Sequence, residues 1–171
     1  MNRFGHQGRS LSLSCFWCSV LLVSFLFSGC RTPSCSEENF AKPFDARRVA
    51  ELSHSSYRVA WDASFCARQD LKHLSYHPTV LDWEAVNYIN RLMRQAPWIA
   101  HDIEKNADNP RCSSKSSYDI VAFDAVMLKA RYSPTSFTRH TDGLIERLIQ
   151  LTDQISSYYE LKTPETLSSQ K

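Results

Sequence analysis

The sequence predicts an all-α domain, an antiparallel four-helix bundle, on three observations. Apolar residues recur in alternating steps of three and four over four stretches, the spacing that lines one face of a helix. Proline falls between those stretches, except at Pro97. Beyond residue 30 the chain keeps a single glycine, Gly143, and such scarcity argues against a turn-rich β fold.

The first helix is expected over 44–71, just after Pro43, on the seam Val49, Leu52, Ser56, Val59, Ala63 and Cys66. The second, over 79–108, follows Pro78 and opens with Thr79-Val-Leu-Asp82, a capping-box pattern. Its seam is Val86, Ile89, Met93, Ala96, Ala100, Ile103 and Ala107, with a kink or a split expected at Pro97 and an end near Pro110. The third helix, over 116–132, is introduced by Ser116-Ser-Tyr-Asp119 and carries Tyr118, Val121, Ala125, Leu128 and Tyr132. The fourth, over 134–161, carries Phe137, Thr141, Leu144, Leu148, Leu151, Ile155 and Tyr158, with Ser133 as its N-cap and Pro134 in its first turn. The helical domain is thus expected over 43–162, with 163–171 a flexible tail beyond Pro164.

Ahead of the domain, Arg3 and Arg9 precede an apolar run from Leu11 to Phe27, too short to span a bilayer comfortably and well suited to a cleaved signal. The run closes with Leu26-Phe27-Ser28-Gly29-Cys30, which resembles the lipobox of bacterial lipoproteins. That resemblance implies a signal peptide over 1–29 and a Cys30 that receives a diacylglyceryl thioether, becomes the new amino terminus and is usually acylated again, as with palmitate. Arg31, rather than Asp, leans towards the outer membrane if the source has one. An ordinary secretory signal cut after Cys30 or Ser34 is the other reading, and it would leave the protein secreted. Residues 30–42 then read as the lipidated cysteine and a short polar tether.

Charge and composition remove several function classes. Arg3 and Arg9 account for the net charge of +2, so the rest is formally neutral and lacks the basic footprint of a nucleic-acid binder. With one glycine left, no Rossmann fingerprint, Walker loop or G-x-S-x-G elbow exists. No His-Glu-x-x-His motif occurs, and no serine stands out as a nucleophile.

Export would let disulfides persist, and after Cys15, Cys18 and Cys30 are set aside, Cys35, Cys66 and Cys112 remain. Cys66 and Cys112 are a candidate pair, with a buried, unpaired Cys66 as the alternative. Glu51 and His54 have the Glu-x-x-His spacing of a helical metal site, and His73 with His77 gives weaker ligand candidates, but the second half of a di-iron set is missing. Covalent haem would need Cys-x-x-Cys-His, absent here; Met93 or Met127 with His101 is the remaining haem pairing, and core methionine is commoner. Trp61, Trp83 and Trp98, with Tyr158 and Tyr159, are residues that anchor interfaces, although large aromatics more often fill small cores.

The expectation is a membrane-anchored envelope lipoprotein with a structural or protein-interaction role, no catalytic residue and no cofactor. Its partners would be the membrane, through the lipid, and envelope proteins. The alternative is an exported four-helix protein that binds metal or haem.

Overall fold

Four helices make up most of residues 35–73 and 77–163, the part of the chain that the computed structural model describes. They are α1, Ala46–His73; α2, Val80–Lys105; α3, Pro110–Arg131; and α4, Arg139–Ser156. Each start has a local cause. Asp45 accepts the Arg48 backbone N–H ahead of α1. At α2 the capping box forms: Thr79 Oγ1 accepts from the Asp82 N–H, and Asp82 Oδ2 accepts the Thr79 N–H at 2.7 Å. Burial pushes the Asp82 carboxyl up, but hydrogen bonds from Ser136 and from the Thr79 backbone and hydroxyl outweigh it and leave its pKa below the ordinary value. Thr138 caps α4 through the Thr141 N–H.

The helices alternate in direction, as the pairings across them record. Ser53 and Ser64 of α1 reach Ala96 and Asn90 of α2 in reversed order, and Glu84, Arg91 and Asp102 of α2 meet Arg131, Asp124 and Ser117 of α3. α2 packs between α1 and α3, α4 packs against α1, and α3 meets α4 most lightly. The α1–α2 and α3–α4 links therefore share one end of the bundle, and the α2–α3 link lies at the other. At the first of these ends, Asp70 accepts both the backbone N–H and the hydroxyl of Thr138, joining the last turn of α1 to the start of α4.

The core is asymmetric in residue size. α2, α3 and α4 supply Ile89, Leu92, Ile99, Leu128, Ile145, Leu148 and Ile155, whereas between Leu52 and Leu71 the inner face of α1 is Ser53, Ser56, Ala60, Ala63, Ser64 and Ala67. Small side chains let neighbouring helices approach closely and leave little room for a large ring on that side. The buried serines are satisfied by backbone or by Asn90: Ser56 by Leu52 O, Ser53 by Ala96 O.

Several boundaries move. α3 begins at Pro110, not 116, because a proline without an N–H suits the first helical position as well as it suits a stop. Ser116 and Ser117, which read as a cap, lie within α3, where Ser117 Oγ donates to Asp102; nearer the start Ser114 Oγ donates to Pro110 O and Ser113 Oγ to Asp102 O. α4 begins at Arg139, not 134, so the α3–α4 link is the longer run 132–138, with Pro134 in a turn. α4 ends at Ser156 rather than 161, and α2 ends at Lys105. α2 is continuous through Pro97 and is not split there.

The expected tether also changes. Residues 35–42 are packed onto the bundle: Phe40 is buried, its segment pairs with that of Leu161, and Ala41 N and Lys162 N donate to Glu160 O and Asn39 O at 2.9 Å. The signal over 1–29, Cys30, and the tail from residue 164 lie outside the described residues.

Candidate functional site

Two gatherings of ionisable side chains differ in what surrounds them. The first is the end of the bundle at the α2–α3 link. Arg111, in the first turn of α3, is fully buried; its guanidinium lies over the rings of Phe40 at 4.2 Å and Phe44 at 5.0 Å, and its Nη1 is 3.0 Å from Glu37. Burial lowers the Arg111 pKa against the opposing pull of Glu37 and Tyr159. Beside it Tyr159 and Ser114 share a 2.6 Å hydrogen bond, and Tyr118 stacks on Tyr159 at 3.9 Å. Burial raises the Tyr159 pKa well beyond the ordinary phenol value. These groups engage one another and hold the entering and leaving segments of the chain.

The disulfide belongs to this clamp. Cys112 is joined to Cys35, with Cα atoms 5.6 Å apart. The pairing expected from spacing, Cys66 with Cys112, is corrected: Cys66 is a free, half-buried thiol. The reason is topological. In an up-and-down bundle the C-terminal part of α1 and the start of α3 sit at opposite ends, and the 20 residues from Ala46 to Cys66 rise about 30 Å. A disulfide needs Cα atoms within about 7 Å. Burial, with Asp70 and Asp62 nearby, raises the Cys66 pKa.

The metal candidates do not converge. Glu51 pairs with Arg47 and Arg48, His54 stands exposed, and so do His73 and His77 at the far end. Among the described residues no three of His, Cys, Asp and Glu form a group able to hold a metal ion. Met93 lies between α1 and α2, whereas His101 packs edge-on against exposed Trp98.

The second gathering is a face running along the furrow between α1 and α2. Tyr57, Trp61 and Phe65 stand at successive steps of four on α1, with Trp61 56% and Phe65 62% exposed and the first two rings 6.5 Å apart. The same steps continue to Gln69, while Arg68 and Lys72 follow on the furrow side. Opposite them α2 presents Asn87, Asn90, Arg91, Met93 and Arg94. Asn90 Oδ1 accepts from Ser64 Oγ at 2.6 Å and Arg68 Nη2 at 2.8 Å, which fixes one guanidinium across the helix pair. Arg91 is held by buried Asp124 at 2.9 Å. Arg68, Lys72 and Arg94 line the furrow, while Arg58 and Asp62 line a neighbouring depression on α1 beside Tyr57 and Trp61.

Sequence reasoning weighed Trp61, Trp83 and Trp98 as core, and the structure corrects this: all three are about half exposed, and of the five aromatics weighed there Tyr159 is the buried one. The signal for the face was present as a second period-four row, Tyr57, Trp61, Phe65, lying beside the seam. Such a face can stack on rings and form ion pairs. Among the described residues no helix is long and apolar enough to cross a membrane.

No protein-family model, curated protein or solved structure matches this chain.

Proposed function

We propose that the chain is a membrane-anchored envelope lipoprotein whose helical domain serves a protein-interaction role. The observation that carries this reading is the Cys35–Cys112 disulfide, five residues beyond Cys30 and at the mouth of the folded domain. A structural disulfide persists in an oxidising compartment, which is where a chain with an amino-terminal export signal is delivered. The lipobox-like Leu26-Phe27-Ser28-Gly29-Cys30 supports anchoring on the far side of the inner membrane, and Arg31 supports the outer membrane where there is one. Multiple acyl chains at ~0.8 kcal/mol per buried CH₂ hold such a domain on a bilayer. The half-exposed Trp61, Trp83 and Trp98 support a binding role, since such rings anchor interfaces.

Intact mass of the chain from its native membrane fraction tests the anchoring. The expected species starts at Cys30 and carries the diacylglyceryl and acyl additions, and Cys30→Ser removes them. A soluble wild-type chain with another amino terminus and no fatty acid would overturn it. Thiol counting on the same sample expects one free cysteine, Cys66, after cleavage of the signal.

A further inference from the structure

We infer that the face between α1 and α2 docks an acidic amphipathic helix of a partner protein. This deepens the protein-interaction part of the proposed function and does not depend on lipidation. Charge is the first argument. Beyond the signal the chain is formally neutral, yet the furrow is lined by Arg68 and Lys72 on α1 and Arg94 on α2 with no carboxylate among its lining residues, Arg91 being paired with Asp124. Arg68 is already oriented by Asn90, so little side-chain freedom is lost when it meets a carboxylate. Shape is the second. Trp61 and Phe65 flank a depression floored by Ser64 and Met93, which suits an apolar ridge laid lengthwise, the geometry of a helix in a groove. Length is the third: Tyr57 to Lys72 rises about 22 Å, close to four turns of a partner helix.

Position disfavours a lipid surface. The row begins 11 residues into α1, about 16 Å above the bundle end that carries Cys35, and continues away from it. A second exposed apolar row, Ile120, Phe123 and Val126 on α3, is flanked by the paired Lys115 and Asp119 and has no such charge bias, so it serves as the internal control.

The probe is a fluorescent peptide of about 16 residues, long enough for four helical turns, with leucines at helical steps of three and four and glutamates elsewhere. It is titrated into the full mature chain in uncharged detergent. Saturable binding is expected, and a lysine-for-glutamate version should not bind. Trp61→Ala and Arg68→Glu should each weaken binding at least about tenfold, while Phe123→Ala leaves it unchanged. All these side chains are exposed, and unchanged helical circular dichroism confirms folding of each variant. Equal binding of the two peptides, or indifference to Trp61→Ala, overturns the inference. A parallel arm places the chain in phosphatidylcholine nanodiscs with or without phosphatidylglycerol. Burial of Trp61 that appears with phosphatidylglycerol alone, read as a blue shift in a Trp83→Phe, Trp98→Phe background, would reassign the face to lipid. Neither arm is moved by failure of the lipid assignment at Cys30, which intact mass reads separately.

Discussion

Among the described residues arginine stands beside aromatic rings in two contrasting settings, with opposite consequences. At the α2–α3 end, Arg111 is sealed between Phe40 and Phe44, pinned by Glu37 and Lys42 O, and closed over by a disulfide. Along the α1–α2 furrow and the depression next to it, Arg68 and Arg58 stand beside Tyr57, Trp61 and Phe65 with their faces in water. The same side chains are cement in one place and an open surface in the other. What separates them is burial: a desolvated guanidinium must be fully engaged by its own chain, whereas an exposed one is free to engage another.

The comparison predicts that changes in the clamp cost stability and changes on the face do not. The Cys35→Ser, Cys112→Ser pair should cost most. A sequence separation of 77 residues corresponds to about 4–5 kcal/mol of loop entropy, read as a fall in the urea midpoint. Arg111→Ala should cost about 3 kcal/mol by removing a buried charge and leaving a cavity, and Arg111→Met should recover much of that loss, because an apolar chain of similar volume satisfies the same ring contacts. Tyr159→Phe should cost about 1 kcal/mol at neutral pH through the lost Ser114 bond. It also carries a pH signature. The folded Tyr159 pKa is raised, by burial first, so its contribution is complete below the ordinary value of 10.0 and is lost as pH rises above it. Alkaline unfolding should therefore be shallower in Tyr159→Phe than in the wild type. Smallest of all, Trp61→Ala should alter stability by no more than about 0.5 kcal/mol while changing binding. A large stability loss at Trp61 would make the face part of the core and dissolve the contrast.

The fold was legible because periodicity and capping are local. Thr79 and Asp82 form the expected box, and Val86, Ile89, Ala96, Ala100 and Ile103 are all buried as their spacing requires. Less was legible where two physical rules share one residue. Pro110 satisfies a helix start and a helix end equally, and its true role depends on the buried Arg111 that follows. On α1 the inner row lies at Ala60 and Ala67 rather than Val59 and Cys66, because close packing favours small residues over apolar ones. That displacement hid the aromatic face: between Leu52 and Leu71 the interior is lined by alanine and serine, and Trp61 and Phe65 stand outside. The Cys35–Cys112 pairing was illegible for another reason. Spacing along the chain does not tell which ends of an antiparallel bundle meet, and residues 35–42 read as polar and loose.

The disulfide also decides how the molecule carries force. Tension entering at Cys35 passes through the sulfur bridge directly into the first turn of α3, so the loop it closes, which contains all of α1 and α2, is bypassed. The aromatic and basic face lies wholly within that bypassed loop. A pull on the amino-terminal segment would load α3 and α4 first and leave that face slack.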